Sequence, residues 1–139
     1  MYTYNCEVVR VVDGDTIDVN IDLGFGVWLK NERVRLENID TPEVRTKDFD
    51  EKVCGLLAKA RVSELTKASN IKLVSSAFKG SFGRILGDFI INDVKLTDTL
   101  LNEHLAAIYT GKTKEEIQEQ HLYNRQILIN EGRIILTES

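Results

Sequence analysis

The strongest constraint on the fold is an alternating pattern near the start of the chain. Ile17, Val19 and Ile21 are separated by polar residues, which is the two-residue period of a strand with one buried face. A second apolar stretch covers residues 6–12 and ends at an Asp-Gly turn signal, and a third covers residues 27–39. The beginning of the chain therefore predicts three successive strands.

The pattern then changes to the period of helices. Between residues 50 and 68, apolar residues recur at steps of three and four, which indicates one apolar helix face. Thr113 and Glu116 match a capping box, so a last helix should begin near residue 114. The elements predicted between these helices are strands at 71–74 and 84–91 and a helix at 96–107.

This order of elements predicts an α+β fold that is mainly a β barrel. Three strands, a helix, two strands and then helices is the order of a five-stranded barrel of the oligonucleotide-binding (OB) type with three helices. An antiparallel sheet with appended helices is the less specific alternative. The 139 residues suit one domain spanning 1–139, because no repeat or linker divides the chain.

Composition limits the classes of function. No apolar run approaches the roughly 20 residues of a membrane span, and the first residues do not resemble a signal peptide, which predicts a cytoplasmic protein without membrane contact. Cys6 and Cys54 lack metal-ligand spacing and predict free thiols. The net charge of −4 argues against binding nucleic acid over the whole surface and leaves room for a local basic cleft.

Carboxylates occur in short turns after two of the predicted strands. Asp15 follows an Asp-Gly pair, and Asp40 is followed by Thr41 and Pro42. Two such carboxylates brought together would repel each other unless a cation lay between them. Oxygen ligands without histidine or cysteine favour Ca²⁺, with Mg²⁺ or Mn²⁺ as alternatives to it. The competing interpretation is that both segments are only turns with capping aspartates.

Three further residues complete a candidate site for phosphodiester hydrolysis. Glu43 lies close to Asp40 in sequence and could orient or deprotonate a water molecule near the cation. Arg35 and Arg84 are candidate phosphate ligands, because a guanidinium stays charged and donates bidentate hydrogen bonds. The competing interpretations are a solvated loop glutamate and two ordinary surface arginines, with Arg35 paired to an acid across the sheet.

Other conspicuous residues predict no site. His104 and His121 have no third ligand at helical spacing and are expected to be surface or helix-packing residues. Phe25 and Trp28 flank a hairpin and are expected to pack, with base stacking as the alternative interpretation.

The order and spacing of these segments resemble the staphylococcal nuclease (thermonuclease) family. The resemblance runs from Val8 to about Gly132 and depends on the acidic block at 13–16, the Asp-Thr-Pro-Glu block at 40–43 and the Phe-Gly-Arg segment at 82–84. It implies an OB barrel with three helices and a metal-dependent endonuclease or phosphodiesterase. The implied reaction is Ca²⁺-dependent hydrolysis of DNA and/or RNA to 3′-phosphorylated products.

The resemblance also implies a role for individual residues. These are Asp15, Asp40 and the Thr41 carbonyl as ligands of Ca²⁺, Arg35, Glu43 and Arg84 in catalysis, and Phe82 and Tyr109 in substrate binding. The expected partner is DNA and/or RNA, with no obligate protein partner and a monomeric chain. Two other functions stay open at this point, namely a non-catalytic module that binds single-stranded nucleic acid and a protein-interaction module.

Overall fold

The computed structural model describes residues 2–75 and 83–136, and its elements follow the predicted order. They are β1 (Tyr2–Asp13), β2 (Thr16–Asp22), β3 (Trp28–Leu36), β4 (Ile39–Asp40), α1 (Phe49–Leu65), β5 (Ile71–Ser75), β6 (Ile85–Ile91), β7 (Val94–Lys95), α2 (Leu96–Asn102), β8 (Ala107–Ile108) and α3 (Lys114–Asn130). As the alternation in β2 predicts, Ile17, Val19 and Ile21 are buried.

Five strands close into a barrel. β1 pairs antiparallel with β2 and with β5, β2 pairs with β3, and β5 pairs with β6. Parallel pairing of residues 34–36 in β3 with residues 85–87 in β6 completes the closure. Apolar side chains of the barrel, of α1 and of α3 form one buried core. The prediction of an α+β fold with a five-stranded OB-type barrel and three helices is confirmed.

The second helix is shorter than predicted. α2 ends at Asn102, because His104 adopts a left-handed φ of 62°. The Leu105 N–H then donates to the Leu100 carbonyl and the His104 N–H to the Leu101 carbonyl, which are the two hydrogen bonds of a Schellman motif. Glycine usually occupies this position, so a histidine carried no stop signal in the sequence.

Contacts that are distant in sequence explain two further differences. β1 begins at Tyr2 rather than near residue 6, because residues 2–5 pair with β5. Residues 107 and 108 form β8, which pairs with β4. Both cysteines are free thiols, and among the described residues no helix combines the length and the apolar character that a membrane crossing requires.

An ion-pair network connects the end of α2 to α1 and to the C-terminal segment. Glu103 accepts hydrogen bonds from Arg61, with Nη2 and Oε2 separated by 2.8 Å, and from Arg133, with Nη2 and Oε1 separated by 3.3 Å. The hydrogen bond from Arg61 is the main reason why the pKa of Glu103 lies below its usual value. The ionised carboxylate therefore stabilises the folded chain.

Replacing Glu103 by Gln should lower the free energy of unfolding at pH 7 by about 1–3 kcal/mol. Because the pKa is lower in the folded state, this contribution is present above the unfolded pKa of about 4.3 and is lost as the pH falls through the folded pKa. Urea unfolding of the parent and of Glu103→Gln measures this effect at pH 7 and at about pH 3. The difference in free energy of unfolding between the two proteins should be smaller at the lower pH. Glu115→Gln, at an exposed position of α3, is the control, and an equal loss in both variants would contradict the prediction.

Candidate active site

Four of the predicted site residues, Asp15, Arg35, Asp40 and Thr41, meet where several strand ends lie side by side. Asp15 lies in the turn between β1 and β2, Arg35 near the end of β3, and Asp40 in β4. The β2–β3 register places Thr16 opposite Arg35, and the Leu36 N–H donates to the Asp15 carbonyl over 2.8 Å. Barrel closure therefore brings together the acidic turns that the sequence separates.

Arg35 bridges the two predicted metal ligands. Its Nη2 lies 3.4 Å from Asp15 Oδ2 and 3.5 Å from Asp40 Oδ1. Its Nη1 donates to the carbonyls of Leu36 over 2.7 Å and of Ile39 over 3.0 Å. The two carboxylates thus approach the same guanidinium atom, as expected for a pair that needs a positive charge between them. The distances to Nη2 exceed the 2.7–2.9 Å of strong charge-assisted hydrogen bonds.

Asp15 and Thr41 form the buried side of the site. The Asp15 carboxylate accepts hydrogen bonds from the Thr16 hydroxyl over 3.1 Å and from the Thr41 N–H over 3.2 Å. Thr41 is 3% exposed, and its Oγ1 is buried without a hydrogen-bond partner. A buried hydroxyl without a partner is costly, and a bound cation or water molecule could satisfy it.

The donor set of two carboxylates and a threonine oxygen fits a hard cation. Within residues 2–75 and 83–136, no group of three His, Cys, Asp or Glu side chains converges on one point. The oxygen donors that fit a cation here are those of Asp15, Asp40 and Thr41.

His121 contacts the site, although it was predicted only as a surface or helix-packing residue within the segment at 119–122 that continues the family resemblance. Its Nε2 lies 2.8 Å from Asp40 Oδ2, and its side chain is 10% exposed. Its Nδ1 is buried without a hydrogen-bond partner. Its spacing could have indicated that it faces the protein. His121 lies three and seven residues before Asn124 and Leu128, which are buried on one face of α3. His121 packs as a helix residue, as expected, and also holds one oxygen of Asp40.

Glu43 lies exposed on the loop between β4 and α1. Its pKa is raised, first by partial burial and then by repulsion from the carboxylates of Asp15, Asp13 and Asp40. These carboxylates therefore produce a negative potential at Glu43, which a cation bound among them would reduce.

The loop that carries Glu43 rests directly on Gly55 of α1. A Cβ atom at this position would lie 2.7 Å from the Pro42 carbonyl oxygen and 2.8 Å from the Glu43 carbonyl oxygen. Glycine therefore allows the helix to support this loop at close range.

Gly55→Ala should lower the free energy of unfolding by about 1–3 kcal/mol, because the loop backbone must move away from the added methyl group. In an unobstructed helix the same change would stabilise the chain by about 0.5–1 kcal/mol. Thermal unfolding shows whether Gly55→Ala stabilises or destabilises the chain. Leu56→Ala, at the neighbouring exposed position, should have a smaller effect. A higher melting temperature for Gly55→Ala would contradict the close approach.

The remaining predicted residues lie on neighbouring segments. Arg84 immediately precedes β6 and is half-buried, so its backbone lies next to the strand that carries Arg35. Tyr109 is 55% exposed, and its N–H donates to the Asn38 carbonyl over 2.8 Å, just before β4. Phe82, the other predicted substrate-binding residue, lies outside the described residues.

A family model described as a staphylococcal nuclease homologue matches residues 33–132, which is more than half of the chain. The match includes Arg35, Asp40, Thr41, Glu43 and Arg84, and Asp15 lies before it. No curated protein matches the chain.

Proposed function

The chain belongs to the staphylococcal nuclease family, and from this premise we propose that it is a Ca²⁺-dependent nuclease. The proposed reaction is hydrolysis of DNA and/or RNA to 3′-phosphorylated products by a monomeric chain. The observation that carries the proposal is the joint approach of Asp15 and Asp40 to Arg35, next to a buried threonine hydroxyl without a partner. Family membership alone is insufficient, because domains of this family can be non-catalytic.

Asp15, Asp40 and Thr41 are the residues that would hold Ca²⁺. A bound Ca²⁺ would supply positive charge next to the phosphate and lower the pKa of a water molecule. In this proposal Glu43 orients the water and accepts its proton at the carboxylate. Partial burial raises the pKa of Glu43 and favours proton uptake, while a bound Ca²⁺ would offset the repulsion from Asp15 and Asp40.

Arg35 and Arg84 are the proposed phosphate ligands. Two backbone carbonyls fix Nη1 of Arg35, while the longer distances from Nη2 to Asp15 and Asp40 leave that nitrogen able to bind a phosphate oxygen. Donors that are oriented in advance stabilise the negative charge of the transition state. Phe82 and Tyr109 are proposed to contact the nucleotide.

His121 is proposed to position Asp40 for the metal. Because Nε2 holds Asp40 Oδ2, the other oxygen is left on the side of Arg35 and Asp15.

His121→Ala should weaken Ca²⁺ binding about 10–100-fold, the usual effect of removing the partner of a metal ligand. Calorimetric titration with Ca²⁺ measures this change, and His121→Gln, which keeps a hydrogen-bond donor, should restore part of the affinity. His104→Asn is the control, because asparagine tolerates the positive φ at this position. Equal Ca²⁺ affinity in His121→Ala and the parent would mean that His121 does not position Asp40 for the metal.

The test of the proposed function is cleavage of single-stranded DNA and RNA at low salt with Ca²⁺ and with excess chelator. We expect cleavage that stops with chelator, returns with Ca²⁺ and is absent in an Asp15→Asn variant purified in parallel. Absence of cleavage together with salt-sensitive oligonucleotide binding would favour the non-catalytic binding module. Absence of both activities would favour a protein-interaction module.

A further inference from the structure

The hairpin between β2 and β3 ends in an exposed apolar loop. Phe25 has its side chain fully in solvent, with a relative exposure of 104%. Its φ is 57°, and Gly24 and Gly26 on either side also have positive φ. The loop is closed by the Leu23 N–H, which donates to the Val27 carbonyl over 2.8 Å. The expectation that Phe25 packs against the protein is therefore wrong.

Phe25 does not stabilise the chain on its own. A side chain in the left-handed region costs free energy, and glycine or asparagine adopts this conformation more easily. An exposed ring also gains nothing from burial. A fully exposed aromatic residue with a positive φ at the apex of a hairpin is a reason to look for a binding role.

Trp28 continues the exposed surface at the base of the hairpin. It lies opposite Asp22 in the β2–β3 register, is 36% exposed, and has Lys30 Nζ 5.1 Å from its ring centroid. A cation over a tryptophan ring is a favourable contact, and the same ring can stack on a base.

Arginines connect these aromatic rings to the candidate active site. Val34 and Leu36 are buried in the barrel, so Arg33 and Arg35 project from the outer face of β3. Asp18, opposite Arg33, and Asp22, opposite Trp28, lie on this same face. Arg35 and Trp28 pair with Thr16 and Asp22 across a bulge, so they lie about 20 Å apart along the sheet.

We propose that the outer face of β3, from Arg35 to Phe25, binds single-stranded nucleic acid that extends from the active site. Phosphates would pass Arg33, and successive bases would stack on Trp28 and Phe25. Aromatic rings beside cations are the usual means of binding single strands without sequence preference, with sites of about 4–16 nucleotides per OB fold. The proposal depends on the proposed function, because it assigns this surface to the same substrate.

The charges of this face determine the kind of binding. Asp18 accepts hydrogen bonds from Arg33 over 2.9 Å and 3.1 Å and from Arg10 over 3.4 Å. Arg10 and Arg33 are 62% and 43% exposed, so these ion pairs are weak and phosphates can compete for the guanidinium groups. Because Glu7 is also exposed nearby, opposite Asn20, stacking should contribute more than ion pairing. The contribution of stacking should depend less on salt than the contacts of phosphates with the arginines.

Trp28 provides a direct readout because it is the only tryptophan of the chain. Its fluorescence is to be recorded during titration with a thymidine dinucleotide and a twelve-nucleotide thymidine oligomer, in chelator so that metal-dependent cleavage cannot occur. We expect the longer oligomer, and not the dinucleotide, to quench Trp28. Phe25→Asn should weaken binding of the longer oligomer about five- to hundredfold while keeping or raising the melting temperature. Ile135→Asn, at another exposed apolar position, is the matched control.

Two outcomes would overturn the proposal that the outer face of β3 binds single-stranded nucleic acid. One is tight binding of the longer oligomer with no change in Trp28 fluorescence and no effect of Phe25→Asn. The other is a change in Trp28 fluorescence that phosphatidylcholine vesicles or a higher protein concentration causes and the oligomer does not. Such a change would mean that the loop binds lipid or a second copy of the chain. The proposed function is separately testable, because Ca²⁺-dependent cleavage can persist without binding at this face, and quenching can persist without cleavage.

Discussion

Glu43→Gln should lower the turnover of single-stranded DNA by about 10²–10⁴-fold, the usual contribution of a general base. The amide has nearly the same size as the carboxylate but cannot accept a proton. Because Glu43 is exposed, the substitution should have little effect on folding. The measurements are steady-state cleavage with Ca²⁺ and calorimetric binding of Ca²⁺ and of an oligonucleotide.

The control for Glu43→Gln is Glu115→Gln, the same chemical change at an exposed position of α3. We expect it to leave turnover unchanged. Ca²⁺ and oligonucleotide binding should survive in both variants. If Glu43→Gln turns over as fast as the parent, Glu43 has no part in the proton transfer.

Arg35→Ala should lower turnover by about 10²–10³-fold, as does the loss of one donor to a developing negative charge. The same substitution should preserve or strengthen Ca²⁺ binding. The reason is that Arg35 Nη2 lies within 3.5 Å of both Asp15 and Asp40, so its positive charge opposes a cation at those carboxylates. Turnover should therefore fall without a loss of Ca²⁺ affinity. Cleavage kinetics and calorimetry with Ca²⁺ measure the two quantities.

Two further variants separate the roles of Arg35. Arg35→Lys keeps the charge without the planar fork, so its turnover should lie between those of the parent and Arg35→Ala. Lys67→Ala removes an exposed cation from the segment after α1 and should change neither quantity. A parallel loss of turnover and Ca²⁺ binding in Arg35→Ala would instead mean that the arginine mainly holds the two carboxylates in place.

Short-range patterns predicted much of this molecule. The alternation of Ile17, Val19 and Ile21 identified a strand with one buried face, because burial in a strand repeats every two residues. Thr113 and Glu116 identified the start of α3, because a capping box involves residues only three apart. The acidic turns at Asp15 and Asp40 were recognised from residue type and position.

Contacts between distant residues were not predictable in this way. His121 and Asp40 are 81 residues apart, and only the docking of α3 brings the ring to the carboxylate. β8 exists because Ala107 and Ile108 find partners in β4, and Gly55 matters because of the loop that lies on it. The exposure of Phe25 likewise depends on how far its hairpin extends beyond the barrel.

The sequence by itself determined the order of the main elements, the buried face of β2 and of the end of β3, and the chemical types available at the site. These properties follow from local periodicity, turn chemistry and side-chain functional groups, which act over a few residues. Only the tertiary structure decided that Arg35 lies between Asp15 and Asp40, that His121 holds Asp40, and that Phe25 remains in solvent. The physical reason is that barrel closure and helix docking set distances between groups far apart in the chain, and no local preference specifies those distances.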